Sequence, residues 1–306
     1  MACFSGFSEY ELGRLAQVGG EFSGCRVGFS GPSTQGGPLK RTLPYVTMSF
    51  MSDFILEQAS HGFLRQHKWE VAVLPFGATE PHNYHMPYGT DTFQVEEIGR
   101  RACEMAYKKG GKVLLLPAMP FGVNTNHLQV KGALALSVTP TTLLKVLADL
   151  VDALERQGLK KLVLLNGHGG NELKPLMREL HHRTKLFLCL CDWYRMVTDQ
   201  LKGIFKNPGE HADEMETSLG LAFFPQFMKM DTAGSGTIKQ TKLEAINKGW
   251  ISITRPWHLA TEDTGMGDPS LATAEKGQKL MEIASTRLGE FLYQLAVTPM
   301  DDRFPY

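Results

Sequence analysis

Residues 69–92 read WEVAVLPFGATEPHNYHMPYGTDT. An unbroken apolar run, Val71 to Phe76, stops at Gly77, and a polar stretch interrupted by Gly and Pro then crowds Glu80, His82, His85 and Asp91 together. Successive strand residues point to opposite faces, so a strand that is apolar throughout has both faces covered, as in the parallel sheet of an α/β protein. Later segments repeat the pattern. FQVEEIGRRACEMAYKKG (93–110) and TPTTLLKVLADLVDALERQG (139–158) have helical spacing, whereas GKVLLLPAMPFG (111–122), KKLVLLNGHGG (160–170) and KLFLCLCDWY (185–194) are strand-like. Further helices are expected from about Asn171, beyond His211, and after GDPSLATAEKG (267–277). Strands alternating with helices predict a three-layer α/β/α domain on a mostly parallel central sheet. Thr139 followed by Pro140 reads as an N-cap with Pro at the first helical position, and Gly158 stands where a helix C-terminus favours glycine.

The chain has 306 residues, 42% of them hydrophobic and 21% charged, enough for one large α/β core. Lys plus Arg and Asp plus Glu both total 32, so no electrostatic footprint favours nucleic acid or an anionic membrane, and a small-molecule substrate is expected. No apolar stretch reaches the roughly 18 residues of a membrane span, and no signal-peptide centre is seen near the start. The five cysteines, Cys3, Cys25, Cys103, Cys189 and Cys191, lack zinc-type pairing and read as reduced core residues of a cytoplasmic protein. Residues 1–47, with FSGCRVGFSGPSTQGGP at 22–38, form a Gly, Ser and Pro-rich extension, and the domain is expected over 48–306, with Met48 or Met51 as its natural start.

In an open parallel sheet, ligands bind beyond the carboxyl ends of the strands. GATEPHNYH follows one apolar run and NGHGGN another, so two His-bearing loops should meet at one edge. Glu80 and His82 are two apart and share a side if extended, and Asp91 lies just before a helix. Carboxylates with neutral imidazoles suit Zn, Mn or Fe, and a carboxylate shared by two ions makes a two-metal centre. Each residue also has a plain structural reading: Asp91 as an N-cap, His168 as an exposed strand-to-helix turn. In GEHADEMETS (209–218), Asp213 and Glu214 suit the positive end of a helix, which leaves His211 and Glu216 unexplained. Glu216 precedes the apolar LGLAFF and should face inward, where an acid wants a cation or a partner. No HExxH, GxGxxG or P-loop motif occurs.

Glu80-Pro81-His82, Asp91 in GTDT, NGHGGN, HADEMETS and GDPSLATAEKG together resemble the creatininase family of metal-dependent hydrolases over about residues 50 to 295. The resemblance implies two divalent ions per chain, one on Glu80, Asp91 and His168, the other on His82 and the bridging Asp91. It makes His211 the acid/base or substrate-orienting histidine, and brings His85, Asn126 and His127 near the site in substrate-facing or supporting roles. It further implies a homo-oligomer, up to a hexamer. Creatininase itself carries a Glu where this chain has Gly170, so Glu216 is the expected replacement ligand, directly or through a water. The Trp-Asp pair that precedes the matching histidine in creatininase is replaced by Asn207 and Pro208, so a substrate other than creatinine is expected. Trp193 and Trp257 are each open to two readings, pocket wall or core packing. The implied activity is hydrolysis of a cyclic or formyl amide, with ring opening of a keto-inositol or a non-catalytic metal-binding module as alternatives.

Overall fold

Three of the apolar runs form six-residue strands, Val71–Phe76 (β1), Lys161–Asn166 (β3) and Phe187–Asp192 (β4), and the fourth forms a shorter one, Val113–Leu115 (β2). The computed structural model describes residues 53–306, so the expectations for residues 1–47, Met48, Met51, Cys3 and Cys25 fall outside the described residues. The sheet order is β2-β1-β3-β4 and every pairing is parallel, with Val71 opposite both Val113 and Lys161, and Lys161 opposite Phe187.

Period-two alternation along β1 separates two cores. Val71 and Val73 join Val95, Ile98, Leu219, Leu280 and Leu288 on one face, and Ala72 and Leu74 join Leu143, Leu147, Leu173 and Leu176 on the other. The first face is covered by helices Thr90–Lys108 (α1), Glu214–Phe223 (α4) and Ala274–Val297 (α5). The second is covered by Pro140–Arg156 (α2) and Leu173–His181 (α3). Each Val or Leu buried this way contributes roughly 1.5–3 kcal/mol. The three layers follow because neither face of an all-apolar strand tolerates water.

Thr139 caps α2 by accepting from the Thr142 amide, with Pro140 next, and Gly158 has the positive φ of +87° beyond its end. Gly277 marks the α4–α5 crossing: a Cβ there would lie 2.0 Å from the Ser218 carbonyl oxygen, so only glycine lets these helices approach. Cys189 and Cys191 depart from the expected full burial. They are free but only half-buried, because β4 lies at the sheet edge.

Candidate metal centre

The carboxyl ends of β1 and β3 open onto one point. The chain leaves β1 through Gly77, and a tight turn at Asn83 (φ 54°) lets His82 bridge Met86. Glu80, His82, His85 and Asp91 are all buried, at 2% exposure or less. Asp91 is not the N-cap of α1 but lies within its first turn, behind Gly89 and Thr90, and its carboxylate faces inward. The NGHGGN loop beyond β3 is held by its asparagines. Asn166 accepts from the His168 amide and donates to the His168 carbonyl, while Asn171 accepts from the Val123 amide and donates to the Gly77 carbonyl. This network ties the loops after β1, β2 and β3 together.

Asp91 divides its oxygens between two histidines: Oδ1 is 3.1 Å from His82 Nε2 and Oδ2 is 3.2 Å from His168 Nδ1. Glu80 Oε1 lies 3.1 Å from His168 Nδ1 and 3.7 Å from His211 Nδ1, and Glu216 Oε2 lies 3.9 Å from His82 Nε2. The opposite ring nitrogen of each histidine faces a backbone carbonyl: His82 Nδ1 that of Glu80 at 3.1 Å, His168 Nε2 that of Val123 at 3.3 Å, His211 Nε2 that of Pro81 at 3.0 Å. A proton held on those nitrogens leaves the inward nitrogens as lone pairs, the arrangement that orients metal-ligating imidazoles. Three overlapping donor groups result, Glu80/Asp91/His168, His82/Asp91/Glu216 and Glu80/His82/His211.

The cluster fits divalent cations on its own chemistry. Asp91 Oδ2 is buried without a hydrogen-bond partner, a costly state for a carboxylate oxygen unless a cation meets it. With protons as the only counter-charge, burial opposes ionisation everywhere in the cluster, yet Asp91, Glu216 and Glu80 outweigh it and lift His82 to about 10. His168 is likewise raised, against its burial, by Glu80 and Asp91. Glu80 and Asp91 are lowered despite burial, Glu80 chiefly by His168 and Asp91 chiefly by His82. Glu216 goes the other way, pushed up to about 8 by burial and the charges of Asp91 and Asp213, and burial with the charge of His82 lowers His211 to about 3. Ionised Glu80 and Asp91 are thus matched by charged His82 and His168 only against the opposition of burial, a buried charge cluster of the kind that divalent cations would otherwise compensate.

Position 170 cannot supply a ligand. A Cβ on Gly170 would stand 2.5 Å from both His168 Nε2 and the Val123 carbonyl oxygen. Glu216 is already inside, at the start of α4, where Asp213 caps the helix by accepting from the Met215 and Glu216 amides and Glu216 Oε2 accepts from the Ala212 amide at 2.6 Å. Glu214, expected only to complement the helix dipole, is fully buried, accepts from the Lys206 and Asn207 amides and pairs with Lys276.

His85 lies one layer out, with Nε2 2.9 Å from Thr217 Oγ1 on α4, and burial lowers it to about 4. His127 Nδ1 stands 2.8 Å from Glu80 Oε2, outside hydrogen-bond alignment. Asn126 is half-buried, and its neighbour Asn124, which sequence reading passed over, anchors that loop by donating to the Thr79 and Leu136 carbonyls. Trp193 is not a pocket wall: it is 1% exposed and packs in the core with Val197 and Phe205. Trp257 is the tryptophan at the site, its ring 4.6 Å from that of His127 and 5.0 Å from that of His211. The sequence around Trp257 does not decide between pocket wall and packing, because contacts distant along the chain put it there. His211 bridges Met266, Asn83 accepts from the Gly234 amide, and Asp263 accepts from the Gly236 amide.

A three-layer parallel α/β fold here gathers carboxylates and imidazoles around a shared Asp at the strand ends, a donor set suited to divalent cations. Comparison with known proteins narrows the class: residues 60–292 match the creatininase (creatinine amidohydrolase) family, and the chain belongs to it. It is 29% identical over 265 residues to the 3-dehydro-scyllo-inosose hydrolase of Thermotoga maritima, covering 77% of this chain and 79% of that protein. The mycofactocin precursor peptide peptidase of Mycobacterium ulcerans is 26% identical over 223 residues, 69% of this chain and 80% of the other. A solved Bacteroides fragilis chain named for creatinine amidohydrolase superposes with a TM-score of 0.77 at 31% identity, covering 82% of this chain and 99% of that one. Solved creatininases at 19–20% identity share the fold with a TM-score of 0.66, one described as a manganese form and another as a Zn-Zn form, each over 80% of this chain and 99% of the other. The chain is a hydrolase of this family, and among the described residues no helix is long and apolar enough to cross a membrane.

Proposed function

We propose that this chain hydrolyses a small carbonyl compound at a centre for two divalent cations, with a cyclic or formyl amide as the main substrate class. The observation that carries the reading is the divided carboxylate of Asp91, one oxygen toward His82 and the other toward His168. Glu80, Asp91 and His168 would hold one ion, and His82, Asp91 and Glu216 the other, with Zn, Mn and Fe the ions this donor set suits. Bound there, such ions polarise a carbonyl and bring the pKa of water down toward about 7.

The side chains supply the rest. His211 Nε2 faces the Pro81 carbonyl at 3.0 Å, so a proton held there leaves the Nδ1 lone pair as the group that would take a proton from the attacking water. The same Nδ1 then returns that proton to the leaving group, a relay typically worth 10²–10⁴-fold. Trp257 closes the site beside His211 and excludes bulk water. A second reading, opening of a cyclic ketone by carbon–carbon cleavage, is favoured by the identity to the Thermotoga inosose hydrolase.

The test is a metal-loaded screen of lactams, formamides and pentahydroxycyclohexanones, reading ring opening or formate. Amide turnover supports the main reading, and turnover of the cyclic ketone alone replaces it with the second. A chain that takes up no divalent ion and turns over nothing is a non-catalytic relative. The proposal includes a cytoplasmic homo-oligomer, up to a hexamer. Self-association would cover exposed apolar side chains such as Trp250, Ile251 and Leu259, and light-scattering mass tests it.

A further inference from the structure

A stack of side chains runs from the protein surface to Glu80. Arg255 Nη2 donates to Glu210 Oε2 at 3.0 Å, and the Arg255 guanidinium lies 5.2 Å from the centroid of the Trp257 ring. Trp257 stacks on His127 with centroids 4.6 Å apart and ring planes at 29°, and His127 Nδ1 stands 2.8 Å from Glu80 Oε2. Exposure falls inward along the series, from Glu210 at the surface to Trp257 at 5%, His127 at 2% and Glu80 at 1%.

Neither ring nitrogen of His127 makes an aligned hydrogen bond. A buried imidazole that forgoes hydrogen bonds is unusual, and its orientation must come from packing. Trp257 supplies that packing on the ring face, and the Arg255 guanidinium, attracted to the negative face of the indole, helps hold the indole in place. The consequence falls on Glu80. Its Oε2 is shadowed by His127, while Oε1 is the oxygen turned toward His168 and His211. A carboxylate left free to rotate offers either oxygen or both to a cation, whereas one fixed in this way offers a single, defined atom.

We infer that Trp257, clamped by Arg255, is a positioning residue for Glu80: it seats the His127 ring against Oε2 and so determines that Oε1 faces the cation site. This rests on the metal-centre reading above. Trp257 comes from segment 238–260, about 175 residues along the chain from Glu80, so the stack also couples that segment to the centre.

The experiment uses the full chain, stripped with a chelator and titrated with Co²⁺. Visible absorption reports coordination, and competition with a chromophoric chelator gives affinity. Trp257→Ala is expected to weaken the tighter Co²⁺ by about 10–100-fold, the usual effect of removing support behind a ligand, and to change the visible band. Trp257→Phe keeps an aromatic face and restores the wild-type band, and Arg255→Met falls between the two. Should Trp257→Ala fail to fold, Arg255→Met at the surface gives the same reading in a smaller form. Wild-type band and affinity in Trp257→Ala, or in Arg255→Met where that variant stands in, overturn this inference alone. A wild-type chain that takes up no Co²⁺ overturns the metal-centre reading and this inference with it.

Discussion

The two halves of the cluster are held differently. Glu80, Asp91 and His168 hang from the ends of β1 and β3 and the first turn of α1, with contacts of 3.1 and 3.2 Å, and the Asn166 and Asn171 network braces His168. His82 and Asp91 are as close, at 3.1 Å, but their third member, Glu216, stands 3.9 Å off and shares its Oε2 with the Ala212 amide. A ligand that stands farther off, and is already tied to a backbone amide, has to shift before it can join a shared ion. The half built on strand ends should therefore take its cation first and more tightly, with the half that borrows from α4 filling second.

The variant that breaks this comparison most completely is Asp91→Ala, which removes the residue common to both halves. Loss of both ions and of measurable turnover is expected, read by elemental analysis and rate together. His211→Ala leaves the ions in place and lowers kcat by about 10²–10⁴-fold, which separates proton transfer from metal binding. Glu216→Gln sharpens the comparison directly. The first ion stays at wild-type affinity, and the second weakens by at least the ~10–100-fold seen when ligand support is lost. Full occupancy of the second site in that variant would remove Glu216 from the centre.

Smaller effects test the scaffold. Gly277→Ala forces α4 and α5 apart at Ser218 and should cost about 1–3 kcal/mol in chemical denaturation, the range for overpacking. Burial pushes the Cys189 and Cys191 thiols up to about 12. Below that value the thiolate fraction rises about tenfold per pH unit, so labelling of these two positions in the folded chain should be slow at pH 8 and quicken steeply with pH, as peptide mapping would show. Equal labelling rates in folded and unfolded protein would contradict their placement.

The sheet was legible because β1, β3 and β4 are continuous apolar runs, and Thr139 with Pro140 announced its helix correctly. β2 shrank to three residues because Pro117 and Pro120 follow it closely and proline has no amide hydrogen to give a ladder. The cluster was legible where one short motif carries several groups, as in residues 80–91 and 166–171. Glu216 could be suspected from Gly170, since an empty ligand position raises the question of what replaces it. Trp257 stayed open between pocket wall and core packing, because pairing between Met266 and His211 and hydrogen bonds with the Asn83 turn bring it there, and such contacts leave no local pattern. Trp193 was open to the same two readings, and core packing is the one the structure gives it.

In the proposed function, Asp91 is common to two cation sites of unequal strength. Calorimetric titration of chelator-stripped protein with Zn²⁺ tests it most directly. Two ions per chain, taken up in separable steps, are expected, with both steps abolished in Asp91→Ala. A single step in the wild-type chain, or an Asp91→Ala variant that still takes up two ions, would contradict it.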